Sequence, residues 1–158
     1  MADDGKIDIE KEYEPLRKKY ALPAFNELDT EFELQCIENT RFLLREVRFR
    51  IEEKADHILG VLEEIMQPDT KVSTLYESRM FAEKDKDKAF AVFKKLMVIK
   101  KRAIRLSILN NEKEDAEFIK ASLADWNSLK KPLVELIGLL IEAWEKDSDL
   151  KENVSYLG

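Results

Sequence analysis

The sequence predicts an all-α fold: an elongated antiparallel bundle of three principal helices with two or three short accessory helices. Three observations predict it. Gly and Pro number four each in 158 residues, too few for a chain built from hairpins and tight turns. Charged residues make up 38% of the chain, well above the usual share of about 25%, which suits long helices with solvated faces. Apolar residues recur at helical spacing, and Ile37, Leu44, Ile51, Ile58 and Ile65 stand one every seven residues. The hydrophobic fraction of 44% is enough for a core. The expected organisation is a flexible acidic segment at 1–11, one helical-bundle domain at 12–147 and a polar tail at 148–158.

Each element follows from its residues. Glu12 to Tyr20 predicts a short helix with Pro15 near its start. Leu22 to Leu28 predicts a hydrophobic clip whose Phe25 and Leu28 dock on the main body. A long helix is expected from about Thr30 to Gln67, with Val47 and Val61 on one side of the heptad line and Leu34, Ala55 and Leu62 on the other. Pro68-Asp69 ends it. Phe32, Leu34 and Cys36 alternate with Glu31, Glu33 and Gln35, a strand-like period; helix is preferred because the seam begins in the same residues. Cys36 is then a small core residue.

Ser73 or Thr74 can cap a shorter helix running to about Ala82. The run from Glu83 to Lys88 is a charged junction or helix start. The next helix reaches about Asn110, with Ala89, Val92, Leu96, Ile99, Ala103 and Leu106 as its inner line. Asn110-Asn111 supplies a stop, because Asn tolerates the left-handed conformation. The last helix starts near Glu112, with Glu112, Glu114 and Asp115 in its first turn, where acids are favourable. Ile119, Leu123, Trp126, Leu133, Ile137, Leu140 and Trp144 keep one phase, with Lys130 filling the gap. That phase runs across Pro132, which predicts one helix kinked there rather than two. No unit of about 20–50 residues is duplicated.

The strongest local departure from average is electrostatic. The chain carries 33 Asp+Glu against 27 Lys+Arg, a net charge of -6, yet the 24 residues from Lys88 to Asn111 contain no acid and seven bases. At about 100° per residue, Lys94, Lys101 and Arg105 share one side of the helix, with Lys95 and Arg102 beside them. They form a strip roughly 16 Å long. Phe90, Phe93, Met97, Ile104 and Ile108 make a separate apolar side. Lys94, Lys95, Lys101, Arg102 and Arg105 are therefore the candidate partner-binding set, facing an acidic protein surface or nucleic-acid phosphates. The plain alternative is a solvated face, or one paired with Glu52, Glu53, Glu63 and Glu64.

The apolar arc of Leu133 to Ile141 spans about half the helix circumference, wider than a surface helix needs. Burial between two neighbouring helices explains it, or Leu133, Val134, Ile137, Leu140 and Ile141 form a self-association surface. Tyr156-Leu157 could dock back or serve as a short linear motif. The apolar run to Trp144 is interrupted by Glu135 and Glu142 and is too short to span a bilayer. Met1 to Glu14 is acidic and lacks an apolar stretch of signal-peptide type.

No constellation specifies catalysis. Arg41, Arg45 and Arg48 form a second cationic line near Phe42 and Phe49. Glu38 and Glu52 can pair with them along the helix, while Arg41 and Arg48, about 40° from the seam, can bridge to another helix. His57 is the single histidine, and Glu53 stands four residues before it, not in the Glu-x-x-His spacing of carboxylate di-metal bundles. Cys36 has no histidine close by for nucleophilic chemistry. Glu53/Asp56 and Glu114/Glu117 could serve an Mg²⁺-dependent all-α nucleotide hydrolase, but acid pairs arise freely in so acidic a chain. The four glycines are isolated, so no phosphate loop is present. No cofactor or metal is expected. One cysteine excludes an internal disulfide and suits a reducing compartment. The sequence therefore predicts a cytoplasmic, non-enzymatic adaptor or assembly protein that binds an acidic protein surface or itself. A nucleic-acid-binding module is the alternative and the hydrolase a remote one.

Overall fold

A computed structural model describes residues 5–67 and 71–146. Among them the regular elements are α1 (Ile9–Tyr20), α2 (Phe25–Phe32), a single 3-10 turn (Leu34–Cys36), α3 (Leu43–Met66), α4 (Val72–Met80), α5 (Glu83–Leu109) and α6 (Glu112–Glu145). The fold is all-α as predicted, with α3, α5 and α6 as the long helices. None of the helices is long and apolar enough to cross a membrane. The helix stop expected at Pro68-Asp69, the tail 148–158 with Tyr156-Leu157 and the first four residues lie outside the described residues. Contacts divide the chain into two compact units, Met1–Ala55 with Ile99–Asp125, and Asp56–Val98 with Trp126–Gly158.

In the first unit, α1 starts at Ile9 rather than Glu12, because Asp8 caps it by accepting from the Lys11 backbone N–H at 3.2 Å and Ile9 is buried. Ala21 ends it in the left-handed region at φ 51°. The expected clip is the helix α2, with Leu22, Phe25, Leu28 and Phe32 buried. The Tyr13 hydroxyl, whose pKa is raised above its ordinary value chiefly by burial, donates to the Pro23 carbonyl at 2.7 Å. Its ring meets Phe25 edge-on at 5.6 Å.

The long helix expected from Thr30 begins only at Leu43. Glu33 takes the left-handed conformation, φ 55°, and the Asp29 carboxylate accepts from the Gln35 backbone N–H at 2.9 Å. Side-chain competition for backbone groups of this kind breaks helices. Arg50 holds the break open: its Nε donates to the Phe32 carbonyl at 3.1 Å, and its guanidinium pairs with Glu33 and Glu53. The alternation of Phe32 and Leu34 with Glu31 and Glu33 thus marks a tight bend and not a strand. Cys36, expected in the core, is exposed because the 3-10 turn points it outward. Ile37 is buried from outside α3, while Leu44, Val47, Ile51 and Ala55 line its inner face.

Arg48 of α3 is 0% exposed, and its Nη1 donates to Oδ1 of the buried Asp115 on α6 at 2.5 Å. Burial, the leading influence, raises the Asp115 carboxyl above its ordinary value; Arg48, and more weakly Arg45, oppose that rise. Arg48 Nε and Nη2 are buried without a protein partner. The guanidinium carbon lies 5.2 Å from the Phe49 ring centre. Tyr20 adds a link from α1, donating through its hydroxyl to Glu112 at 2.6 Å and accepting from Lys120 at its carbonyl at 3.1 Å.

In the second unit, Leu59, Leu62 and Ile65 of α3 are buried together with Ala89, Val92 and Leu96 of α5, and with Leu129, Leu133, Leu136, Leu140 and Ala143 of α6. α4 adds Tyr76, whose hydroxyl donates to the Ala143 carbonyl at 2.5 Å. α6 is continuous through Pro132, as its unbroken phase predicted. Trp144, expected on the inner line, is instead turned toward α4: its ring sits 4.5 Å from that of Tyr76 and its Nε1 donates to Glu77 at 3.0 Å. Lys88 pairs with Glu135, which lowers the Glu135 pKa.

The buried pair makes a quantitative prediction. Arg48→Ala or Asp115→Ala, each leaving an uncompensated partner, lowers unfolding free energy by about 3–5 kcal/mol, whereas the double change Arg48→Met/Asp115→Leu costs far less. In Arg48→Met the stranded Asp115 carboxyl loses the cation that opposed its upward shift. A folded-state pKa above the unfolded one means the folded chain holds more protons in that window. The deficit of this variant therefore shrinks as pH falls through the raised Asp115 pKa and grows as pH rises, which denaturant unfolding at several pH values measures.

Candidate functional site

α5 forms because its inner line is unbroken: Ala89, Val92, Leu96, Ile99, Ala103 and Leu106 are all buried, as their spacing required. Asp85 closes its start by accepting from the Ala82 backbone N–H at 3.3 Å. Asn110 stops it in the left-handed region, φ 51°. Asn111 then caps α6, its side chain accepting from the Glu114 backbone N–H at 3.2 Å. Burying one stripe of a helix that carries so many bases sends the bases outward.

Of the seven basic residues in the acid-free stretch, Lys88 is paired with Glu135 and Lys100 has a partner within the chain. In the second unit Lys94 and Lys95 are exposed, and the Lys94 ammonium lies 5.9 Å from the Phe90 ring centre. In the first unit Lys101, Arg102 and Arg105 are exposed. Among the described residues no carboxylate forms an ion pair with Lys95, Lys101, Arg102 or Arg105.

Beside Arg102 and Arg105 the first unit holds a cavity of about 410 Å³. Leu106, Phe118 and Ala121 give it an apolar lining, while Glu114 and Glu117 belong to its α6 side. Neither arginine pairs with those glutamates; Glu117 takes Lys120 at 2.7 Å instead. At about 100° per residue, Ile108 and Leu109 project within 60° of Arg105, and they are 76% and 48% exposed. A smaller cavity of about 180 Å³ is lined by Arg45, Phe42 and Asp115 among others. There the Phe42 ring has the Arg45 and Arg41 guanidinium carbons at 4.5 and 5.2 Å.

No family model, curated protein or solved structure matches this chain.

The proposed self-association residues separate. Leu133 and Leu140 are buried inside the second unit and cannot present area to a partner, because they continue the α6 inner line. Ile137 is half-buried, while Val134 is 72% and Ile141 53% exposed. Gly138 stands between these two on the same face, and a methyl group added there would meet nothing. His57 is exposed. Among the described residues no three His, Cys, Asp or Glu side chains group as a metal site.

Sequence reasoning missed the cavity. Phe118 and Ala121 lie off the line used to phase α6, and Glu114/Glu117 carried no signal beyond their spacing. The rotation of α6 relative to α5, which brings these residues opposite Arg102 and Arg105, is not encoded in the spacing of either helix alone. Because Arg102 and Arg105 are unpaired, Arg102→Gln and Arg105→Gln change unfolding free energy by less than about 0.5 kcal/mol. Arg50→Gln, which leaves the Phe32 carbonyl and two carboxylates without their partner, costs about 1–2 kcal/mol. Urea titration of the three variants checks the contrast.

Proposed function

We propose that this chain is a protein-binding module, an adaptor or assembly protein, whose basic α5 face docks on an acidic protein surface. One observation carries the reading: Lys101, Arg102 and Arg105 stand exposed, with no described carboxylate paired to them, in a chain of net charge -6. Cations left uncovered in an acidic protein steer association and select partners. The neighbouring Ile108 and Leu109, exposed within about 60° of Arg105, add apolar area, and arginine beside apolar side chains is enriched in protein interfaces. Lys94 and Lys95 extend the basic set within the second unit. A reducing, cytoplasmic setting fits the single thiol at Cys36.

Nucleic acid is the second reading, because the same cations could neutralise phosphates. Self-association is the third, and Val134 and Ile141 supply it with exposed apolar area on α6.

Charge reversal at Lys101, Arg102 and Arg105 to Glu removes binding of the native partner in a pull-down and leaves the helical circular dichroism intact; an unchanged partner set rules the docking face out. Retardation of mixed DNA and RNA at about 50 mM salt, weakening steeply as salt rises, would favour nucleic acid instead. If α6 mediates self-association, Val134→Glu/Ile141→Glu converts a dimer to monomer in sedimentation equilibrium, and a wild-type monomer at all concentrations removes that reading.

A further inference from the structure

We infer that the cavity beside Arg102 and Arg105 receives a bulky apolar side chain from an acidic segment of a protein partner, the segment's carboxylates meeting the two arginines. This rests on the protein-docking reading of α5 and specifies what docks there.

Four features of the first unit converge. The cavity is an open depression of about 410 Å³, of a size that admits a single large side chain of a partner. Its floor is apolar, formed by the exposed Ala121 and the small exposed parts of Leu106 and Phe118 between the charged Arg102, Arg105, Glu114 and Glu117, so an apolar side chain entering between the charges gains from contact with that floor. On α5 the guanidinium groups of Arg102 and Arg105 lack a described carboxylate partner, and planar guanidinium forks bind carboxylates bidentately. On α6, Glu114 and Glu117 line the same cavity and repel any carboxylate placed there.

Together these features set a polarity. An occupant presents its acids toward α5, its apolar anchor inward, and a neutral or basic edge toward α6. An amphipathic helix or short extended segment with acids on one edge meets that pattern, and two neighbouring helices with an apolar floor form the groove such segments use. A nucleic-acid strand meets it less well, because phosphates placed along the groove are repelled by Glu114 and Glu117. Exposed Ile108 and Leu109 beside Arg105 lengthen the apolar contact beyond the cavity. The apolar anchor then supplies affinity and the arginines supply selection.

The test is an unbiased selection. A phage library displaying random peptides of about 16 residues, roughly four helical turns, is panned on the full chain. The enriched peptides are measured by fluorescence anisotropy on wild type, on Arg102→Glu/Arg105→Glu and on Ala121→Trp, which plugs the cavity. All three positions are exposed, and circular dichroism confirms that each variant folds; Ala121→Met is the second plug if the tryptophan variant does not. The expected peptides join acidic residues to at least one Phe, Leu or Trp and lose about tenfold or more in affinity to each variant. Acidic peptides without an apolar anchor, indifferent to Ala121→Trp, overturn the cavity inference and leave the docking face standing. Peptides indifferent to Arg102→Glu/Arg105→Glu, or no enrichment over that variant, overturn both. Self-association of wild type that Ala121→Trp abolishes makes a second copy the occupant and also overturns the inference.

Discussion

The ion pair between Arg48 and Asp115 is the constraint on which the first unit is organised. A fully buried guanidinium is costly to desolvate, and two of its donor nitrogens, Nε and Nη2, find no protein acceptor. Such a pair is weak evidence for net stability. Its effect is on alternatives: with Arg48 on α3 and Asp115 in the first turn of α6, any rotation of α6 strands a charge in the core. The rotational phase of α6 is thereby pinned at its beginning. That phase puts Glu114, Glu117, Phe118 and Ala121 on the side that meets Arg102 and Arg105.

Around this pair the first unit satisfies polar groups with long side chains rather than with regular pairing. Arg50 answers the free carbonyl where α2 ends. Tyr20 and Lys120 tie α1 to α6, and Glu112 takes both the Tyr20 hydroxyl and the Lys19 ammonium. These groups are engaged at structural tasks. Lys101, Arg102 and Arg105 are not, and the contrast gives the uncovered cations their interest. An acidic chain has carboxylates in plenty, so leaving three neighbouring cations unmatched by described residues is a feature of where the buried stripe of α5 lies.

The second unit solves its packing differently. α4 brings Tyr76 under α6, where its hydroxyl reaches the Ala143 carbonyl and its ring meets Trp144. The tryptophan is held by a neighbour's ring and by Glu77 rather than by immersion in the core. What remains outward on α6 is the Val134, Gly138 and Ile141 face, apolar and uncrowded.

Sequence by itself determined the helical class, the inner line of α5, the continuity of α6 through Pro132 and the Asn110-Asn111 turn. Each depends on interactions within a few residues or on a period that any burial must respect. It also showed that Lys94, Lys101 and Arg105 share one side of α5, apart from its inner line. Tertiary structure decided the rest. Phe32, Leu34 and Ile37 fit a continued helix as well as a bend, and the balance was tipped by Asp29 and by Arg50, which arrives from far along the chain. Arg48 was marked by its nearness to the seam, but its acid lies 67 residues away, beyond the reach of any periodicity. The cavity arises from side chains on two helices, α5 and α6, that only packing brings face to face. Local spacing fixes which side of a helix is apolar, whereas only packing fixes what that side, and the one opposite, will face.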